Sequence, residues 1–429
     1  MSGWNTAKLV AADKKHLWHP FTQMSDWCAP EHEPLVLVGG EGALLRDSEG
    51  REYIDGNSSI WTNIHGHNHP KINAAIHAQM RRAAHTSFLG FTNPPAIQLA
   101  GELVELFAPD TLTRVFFSDD GSTAIEVAIK MAAQYWQLRG EPHRKQFVSF
   151  TNAYHGDTTG AASLGGVRIF HERFATWQFP ARHIGGVEEL DSLNAKEIAA
   201  VVIEPLVQGS AGMRLWPSGM LSALRRWCDE CGVLLIADEV MTGFGRTGTM
   251  FACEQENVVP DFMALAKGLT AGYMPLAATL TKESIFEAFL GTYAEQKTFY
   301  YGHSYTANQL GCAAALASLQ VFREETVLDG LRRKITLLSD LLAALSQQSH
   351  VASVRQCGFI SGIEIGDTSG KPYDVNLQMG ARVCMAARKH GLLTRPIRDT
   401  IVLLPPYCIE VSELRRAVDA ISLAIGEIC

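Results

Sequence analysis

Residues 233–268, with the sequence VLLIADEVMTGFGRTGTMFACEQENVVPDFMALAKG, contain two short apolar runs that each end at a charged residue. The run 233–237 ends at Asp238, and the run 262–266 ends at Lys267. Apolar runs of this length between polar segments are typical of strands buried on both faces of a sheet. Ligands of open α/β sheets bind just beyond the carboxyl ends of such strands. The stretch therefore predicts a buried sheet with an acid and an amine at its ligand-binding edge.

The same pattern, an apolar run followed by polar residues, occurs three more times upstream. The runs are 115–118, 147–150 and 199–203. Between the first two, residues 125–136 carry apolar side chains at spacings of three and four, which predicts an amphipathic helix that Gly140 ends. Strand-like runs that alternate with helical patterns indicate an α/β fold with a mostly parallel sheet.

The two ends of the chain show a different pattern, with short strand-like runs separated by turn residues. Residues 35–55 predict an antiparallel meander, and the chain after residue 325 predicts a long amphipathic helix, two strands and a terminal helix. We therefore expect residues 1–65 and 325–429 to form one small α+β domain. Residues 66–324 would form the large α/β domain.

The composition is that of a globular protein. Of the 429 residues, 47% are hydrophobic and 19% are charged, and the formal net charge is −8. No basic stripe appears, which argues against nucleic-acid binding. No apolar run approaches the roughly 20 residues that span a bilayer, and the start lacks the apolar region of a signal peptide. We expect a soluble, cytoplasmic protein that acts on small molecules.

Two motifs could indicate a metal site, but each has a simpler interpretation. Cys228 and Cys231 form a C-x-x-C pair, and no second pair supplies the four ligands of a structural zinc site. His65, His67 and His69 alternate, yet no acidic residue or cysteine lies nearby in the sequence. We expect buried thiols and structural histidines, and no metal.

Three positions after predicted strands carry the residue types that one cofactor requires. Gly121 and Ser122, at a helix start, can bind an anion through free N–H groups, although serine also favours ordinary helix caps. Asp238 can keep a ring nitrogen protonated, or it can be a surface acid. Lys267 can be a desolvated amine that attacks a carbonyl, or it can be solvated. A phosphate site, a ring-nitrogen acid and an amine nucleophile are together what pyridoxal phosphate requires.

Two other classes of function stay open on these residues. Gly243, Gly245 and Gly248 match the G-x-G-x-x-G fingerprint of enzymes that bind dinucleotides and transfer hydride. In that fingerprint the first glycine follows the strand directly, whereas here residues 238–242 intervene. A non-catalytic protein that only binds partners would make Lys267 incidental.

Five segments resemble the class III aminotransferases, which are pyridoxal-phosphate enzymes of fold type I. The segments are 118–126, 154–157, 203–205, 238–248 and 266–268. The resemblance covers nearly the whole chain. It implies a mostly parallel seven-stranded sheet in a large domain, a smaller α+β domain from both chain ends, and a homodimer with shared active sites. It also implies that the glycine loop is not a nucleotide site.

The resemblance assigns roles to individual residues. Lys267 would bond to the cofactor aldehyde, Asp238 would lie under the pyridine nitrogen, and Tyr154 would stack on the ring; these three are the expected catalytic residues. Further expected cofactor-binding residues are Gly121, Ser122, His155, Glu204, Val240, His303 and Ser304. Ser304 would reach the phosphate from the neighbouring subunit.

The chain ends resemble one branch of this family, the enzymes that convert 8-amino-7-oxononanoate to 7,8-diaminononanoate in biotin biosynthesis. The similar segments are 16–24, 58–61 with 65–67, and 394–396. By this resemblance an aromatic channel would lead to Arg395, whose guanidinium would bind the substrate carboxylate, and such a channel suits a long aliphatic acid. The expected substrate-binding residues are Phe21, Trp61, Tyr154, Gly302 and Arg395.

Two features separate the branches of these enzymes by amino donor. The adenosylmethionine-using branch has a tyrosine after the His-Pro pair and a Gly-Pro-Thr loop, whereas this chain has Phe21 and GHSYT at 302–306. These resemble the branch that uses L-lysine, which we therefore expect as the donor. Adenosylmethionine is the alternative donor. Aminotransferases of γ-aminobutyrate, ornithine or diamines, and semialdehyde aminomutases, are the alternatives within the class.

Overall fold

The computed structural model describes residues 3–429. Its α-helical segments, in chain order, are α1 (Thr6–His16), α2 (Met24–Cys28), α3 (Ser58–Trp61), α4 (Pro70–Met80), α5 (Pro94–Val104), α6 (Gly121–Leu138), α7 (Thr159–Ser163), α8 (Arg168–His171), α9 (Met220–Cys231), α10 (Glu283–Phe286), α11 (Gln309–Glu324), α12 (Val327–Leu345), α13 (Met379–Ala387) and α14 (Val411–Ile428).

The strands alternate with these helices through the middle of the chain. They are β1 (Leu37–Glu41), β2 (Leu44–Asp47), β3 (Glu52–Asp55), β4 (Arg114–Ser118), β5 (Gln146–Phe150), β6 (Ala181–Ile184), β7 (Ile198–Ile203), β8 (Val207–Gln208), β9 (Arg214–Leu215), β10 (Leu234–Asp238), β11 (Phe262–Leu265), β12 (Ala277–Thr281), β13 (Val351–Cys357), β14 (Ile360–Ile365), β15 (Leu392–Leu393), β16 (Pro396–Ile397) and β17 (Thr400–Leu403).

The central sheet has seven strands in the order β4-β12-β11-β10-β7-β5-β6. Strand β12 runs antiparallel to both of its neighbours, and the other pairs are parallel. The prediction of a mostly parallel seven-stranded sheet is confirmed. The five apolar runs recognised in the sequence correspond to β4, β5, β7, β10 and β11.

The central strands are buried because both faces of the sheet are covered. Strands β7 and β10 are buried along their full length. Along β10, Leu235 and Ala237 contribute to one apolar core, and Leu234 and Ile236 contribute to a second core on the opposite face. This alternation requires apolar residues at every position, which explains the unbroken apolar runs in the sequence.

Helix α6 is fixed at its start and along its length. Asp120 accepts a hydrogen bond from the Thr123 N–H (2.9 Å), and the Thr123 hydroxyl oxygen accepts one from the Asp120 N–H (2.9 Å), so the first turn is capped. Trp136 donates its indole N–H to the Ala199 carbonyl of β7 at 2.9 Å. Beyond the helix end, Gly140 has φ of +78°, the left-handed conformation expected from the sequence.

Two four-stranded sheets contain the chain ends. In the sheet β1-β2-β3-β15, the C-terminal strand β15 pairs in parallel with β3, opposing Leu392 to Ile54. The sheet β13-β14-β17-β16 is antiparallel. The two ends of the chain are therefore in direct contact, as a shared small domain requires. The domain boundaries at residues 65 and 325 stay a prediction.

The cysteine pair lies on a packed helix. Cys228 is fully buried on α9, and burial raises the pKa of its thiol to about 12, while Cys231 is half-buried. Within residues 3–429, no group of three or more His, Cys, Asp or Glu side chains is arranged to hold a metal ion. No helix in the same part of the chain is long and apolar enough to cross a membrane.

The three alternating histidines each contact protein groups. His65 is buried with Nε2 3.1 Å from the Ser318 hydroxyl, and burial lowers its pKa to about 3. His67 places Nε2 2.9 Å from Asp55, and His69 faces Glu325. These contacts are structural.

Candidate active site

A cavity of about 370 Å³ lies at the carboxyl edge of the central sheet. The segments that follow β4, β5, β7, β10 and β11 form much of its wall. The expected site residues that line it are Trp61, Gly121, Ser122, Tyr154, His155, Glu204, Asp238, Val240 and Lys267. These positions are far apart in the sequence, and they meet because parallel strands end at one edge of the sheet.

Asp238 is a buried carboxylate whose position is fixed by two donors. One oxygen lies 2.7 Å from His155 Nδ1, and the other accepts the Val240 N–H at 3.1 Å. The second ring nitrogen of His155 lies 3.3 Å from the Ser149 hydroxyl. His155 and Asp238 are both almost inaccessible to water, so the pair supplies the partner that a buried carboxylate needs. The carboxylate is therefore fixed at the cavity wall.

Lys267 follows β11 and extends its amine into the cavity. Its φ of +44° turns the chain sharply at the end of the strand. Desolvation lowers the pKa of the amine to about 8, although the carboxylates of Asp238 and Glu204 act in the opposite direction. The neutral amine, which is the nucleophilic form, is therefore well populated near pH 8.

Glu204 is a second buried carboxyl group in the cavity wall. Its two oxygens accept hydrogen bonds from the Tyr154 N–H (3.1 Å) and the Gly209 N–H (2.9 Å). Burial raises the pKa of Glu204 to about 7, and the nearby charge of Asp238 adds to this effect. Glu204 therefore changes its protonation in the same pH range as Lys267.

Tyr154 places a phenol between the cavity and a surface carboxylate. Its hydroxyl donates to Asp157 Oδ2 at 2.6 Å. Burial raises the pKa of Tyr154, and the Asp157 contact raises it further, so the phenol stays protonated. Asp157 was part of a recognised motif but had no assigned role. The structure places its carboxylate at the polar end of Tyr154.

The start of α6 leaves donors free for an anion. Asp120 and Thr123 complete the helix cap, so the N–H groups of Gly121 and Ser122 have no partner inside the helix. A Cβ on Gly121 would lie 2.6 Å from the Val240 side chain, and one on Gly156 would overlap the Ser122 hydroxyl. Glycine at position 121 allows the start of α6 to approach Val240, and glycine at position 156 allows its segment to approach Ser122. The cap weighed for this motif is thus made by Asp120 and Thr123, and the anion site at Gly121 and Ser122 stays a prediction.

Trp61 is held over Lys267 by strained backbone. Its ring centre lies 4.6 Å from Lys267 Nζ. The short turn α3, which carries Trp61, has positive φ at all of its residues, between 45° and 70°. Left-handed helical backbone costs roughly 1–2 kcal/mol for each residue other than glycine. Such strain persists only where surrounding contacts determine the conformation.

The set of groups in the cavity fits pyridoxal phosphate. A buried carboxylate is present for a protonated ring nitrogen, an amine for an aldehyde, and helix N–H groups for a phosphate. Asp238 and Lys267 thus lie at the wall of one small cavity, together with the start of α6.

Comparison with known proteins agrees with this chemistry. The family model for class-III aminotransferases matches residues 28–425. An adenosylmethionine-8-amino-7-oxononanoate aminotransferase of Geobacter sulfurreducens is 47% identical, with 99% of each chain covered. The crystal structure of the enzyme with that name from Methanocaldococcus jannaschii superposes with a TM-score of 0.95 at 42% identity, covering 99% of this chain and 100% of the other.

This chain belongs to the class-III aminotransferases.

The family membership also establishes the cofactor. An amine transaminase from an uncultivated Pseudomonas species, solved in its pyridoxal-phosphate-bound form, has a TM-score of 0.90 at 33% identity, covering 96% of this chain and 99% of the other. The aminotransferase is therefore a pyridoxal-phosphate-dependent transaminase of fold type I. Its glycine loop, residues 243–248, packs into the protein interior, with Phe244 and Arg246 buried. The dinucleotide interpretation is wrong.

Several expected site residues lie outside the cavity wall of the single aminotransferase chain. Phe21 is 63% exposed, and its ring lies 5.3 Å from that of Phe170, which in turn lies 6.1 Å from the Tyr154 ring. Arg395 is exposed on the segment between β15 and β16. Phe21 thus belongs to a chain of rings that reaches Tyr154, and Arg395 is not part of the cavity wall.

The loop that contains Gly302, His303 and Ser304 also lies outside the cavity wall. His303 places Nδ1 2.8 Å from Asp119, which lines the cavity. Gly302 and Ser304 are exposed. The loop therefore contacts the site of its own chain through one histidine and presents its serine outwards.

Sequence reasoning missed several residues that line the cavity, both before and after Lys267 in the chain. They include Ser210, Met241, Thr242, Thr270, Tyr273 and Met274. Tyr273 donates its hydroxyl to the Gly66 carbonyl at 2.9 Å, which links the lysine loop to the histidine motif. For five of these residues the signal in the sequence was proximity to Asp238 or Lys267, whereas Ser210 lies close to neither.

We expect the cofactor-free aminotransferase to capture pyridoxal phosphate covalently at a rate that rises with pH around a midpoint near 8. The reason is that burial lowers the pKa of Lys267 to about 8, so the reactive neutral amine is lost as the pH falls through this value. Stopped-flow absorbance measures the capture. A free alkyl amine, which titrates near about 10, is the control; the same high midpoint in the protein would show that Lys267 is not desolvated.

Proposed function

We propose that this aminotransferase transfers an amino group from L-lysine to 8-amino-7-oxononanoate, which forms 7,8-diaminononanoate in biotin biosynthesis. The full-length similarity to enzymes named for this amino acceptor carries the proposal. The cavity supports it, because Trp61 and Tyr154 provide aromatic walls that suit an aliphatic chain.

The proposed catalytic residues have separate tasks. Bound pyridoxal phosphate supplies an aldehyde that condenses with amines and a ring that withdraws electrons from the adjoining carbon. Asp238 holds a proton on the ring nitrogen, since its carboxylate is buried and fixed by His155. The neutral Nζ of Lys267 accepts the proton from the amine-bearing carbon of the donor and later returns one, first as general base and then as general acid. Trp61 covers this amine and limits its contact with water.

Lysine as the donor is supported by the polar groups beside the cavity. The acidic group near the Tyr154 ring is Asp157, whose Oδ2 accepts the tyrosine hydroxyl at 2.6 Å. A carboxylate at this place suits the ammonium group of a diamine-like donor. Adenosylmethionine is the second candidate, because the relatives carry it in their names.

We expect L-lysine alone to convert the cofactor of the purified enzyme to its amine form, seen as loss of visible absorbance. Separate additions of adenosylmethionine, ornithine and γ-aminobutyrate should leave the absorbance unchanged. Subsequent 8-amino-7-oxononanoate should restore it, with diaminononanoate as the product. The variant Lys267→Ala, which can still bind the cofactor non-covalently, should show neither change. If adenosylmethionine and not lysine removed the visible absorbance, the proposed donor would be wrong. If 8-amino-7-oxononanoate did not restore the absorbance, the proposed acceptor would be wrong.

Arg395 is our proposed partner for the carboxylate of the oxo acid. Two residues further on, Ile397 packs against the apolar cluster that contains Trp61, Val402 and Leu404. The segment that carries Arg395 therefore adjoins the aromatic wall of the cavity. A guanidinium there can bind the carboxylate through two parallel hydrogen bonds.

The variant Arg395→Ala should raise the KM for 8-amino-7-oxononanoate by about 10- to 100-fold, the range that loss of a charge-assisted hydrogen bond gives. The KM for lysine should change far less. Arg398→Ala, which removes another exposed arginine just after β16, is the matched control and should leave both values near wild type. Equal changes for the two substrates would contradict the carboxylate assignment.

We further propose a homodimer in which Ser304 acts in the neighbouring active site. Large apolar side chains are exposed on both sides of its loop, namely Leu89, Phe91, Tyr300 and Tyr305. The two segments adjoin, since a Cβ on Gly302 would lie 3.5 Å from the Leu89 side chain. Exposed apolar groups gathered in this way are typical of a protein interface.

Subunit mixing tests the shared site. Lys267→Ala and Ser304→Ala homodimers should each be impaired at limiting cofactor concentration. After exchange of subunits, each hybrid dimer has one site with both changes and one intact site, so random mixing should restore roughly a quarter of wild-type activity. No gain in activity on mixing would place Ser304 in the site of its own chain.

A further inference from the structure

The turn α3 is held on one side by a buried carboxylate. Asp55, at the end of β3, is 2% exposed. Its oxygens accept hydrogen bonds from the Ser59 N–H (3.0 Å) and the Ser59 hydroxyl (2.9 Å). His67 lies 2.9 Å from the same carboxylate through Nε2, and its Nδ1 lies 3.1 Å from the Asn63 side-chain amide. One member of the histidine motif, His67, thus helps to fix Asp55.

A buried guanidinium holds the turn on the other side. Arg246, from the glycine loop, is 1% exposed. It donates from Nη2 to the carbonyls of Trp61 (3.4 Å) and Asn63 (3.3 Å), and from Nη1 to the carbonyl of Pro405 at 2.9 Å. Within residues 3–429 the side chain makes no ion pair. Burial of a guanidinium without partners is costly, so these carbonyl oxygens, together with the Tyr407 ring 5.0 Å from the guanidinium carbon, are what keeps it in place.

We propose that Asp55 and Arg246 are positioning residues that hold α3 in its left-handed form and thereby fix the Trp61 ring over the amine of Lys267. Neither side chain lines the cavity. Both act through the turn, whose backbone a free chain would not adopt. The inference rests on the proposed function only where turnover of the oxo acid is measured.

The conformation of Trp61 can be followed without catalysis. In the cofactor-loaded enzyme labelled with 5-fluorotryptophan, the variant Trp61→Phe assigns the ¹⁹F resonance of Trp61. We expect Arg246→Lys to shift or broaden this resonance. A lysine ammonium lacks the planar, forked guanidinium that donates to the carbonyls of Trp61 and Asn63. Asp55→Asn should do the same from the other side of the turn, and it carries the test if the arginine variant does not fold.

We expect kcat/KM to change together with the Trp61 resonance. Arg246→Lys should lower kcat/KM for the oxo acid by about 10- to 100-fold. A glycine at position 60 should restore both activity and resonance, because glycine adopts the left-handed conformation without a steric penalty. The double variant is therefore Arg246→Lys with Ile60→Gly. The matched control is Arg246→Lys with Thr326→Gly. Thr326 is, like Ile60, an exposed β-branched residue with positive φ, but it does not belong to α3 or to the cavity wall.

Rescue by Ile60→Gly and not by Thr326→Gly supports the proposal. An unchanged Trp61 resonance in folded Arg246→Lys and Asp55→Asn would overturn it, and so would a disturbed resonance that glycine at position 60 does not restore. If the enzyme does not turn over 8-amino-7-oxononanoate, the resonance and its rescue still decide the positioning role, so failure of the proposed function and failure of this inference give different results.

Discussion

The desolvation of charged groups at the edge of the central sheet is the constraint on which the site depends. Fully apolar strands lead into Asp238, Glu204 and Lys267, and each of these groups would be destabilising without a partner. Asp238 is paired with His155, and Glu204 accepts hydrogen bonds from two backbone N–H groups. For Lys267, burial lowers the pKa of the amine to about 8. The burial that makes the amine costly as a cation also makes it available as a nucleophile. Stability and reactivity at this edge therefore have one physical origin.

A second constraint comes from the turn that covers the amine. The cost of its left-handed backbone is offset by contacts from two directions, one from β3 near the chain start and one from the glycine loop after β10. Trp61 also packs with Val402 and Leu404, which lie in and just after β17. The position of the ring thus depends on segments from both ends of the chain and from its middle. A shift of β3, the glycine loop or β17 relative to the others would therefore move the Trp61 ring in the cavity wall.

The sequence predicted those features that depend on local pattern. Unbroken apolar runs located five of the seven central strands, and the residues just beyond them, such as Asp238 and Lys267, line the observed cavity. It could not predict the left-handed turn, because Ser59 and Ile60 have no local preference for positive φ and one of the two groups that hold the turn, Arg246, is distant in the chain. The role of Arg246 was hidden for the same reason, since its glycine-rich surroundings resemble a nucleotide loop. The proposed roles of Ser304 and Arg395 depend on groups outside the cavity wall of one chain. Sequence motifs could therefore identify these two residues but could not show what they contact.

The two proposed substrates have a chemical likeness that explains how one cavity can serve both. L-Lysine and 8-amino-7-oxononanoate are each a linear aliphatic chain with an amino group and a carboxylate. We propose that both place the reacting carbon at the amine of Lys267 and the chain along Trp61. Adenosylmethionine has a purine and a sulfonium in place of that simple chain, and it needs polar contacts for the purine edge that a phenylalanine at position 21 does not supply. The apolar surface near Tyr154, continued by Phe170 and Phe21, is the structural ground on which we propose the linear donor.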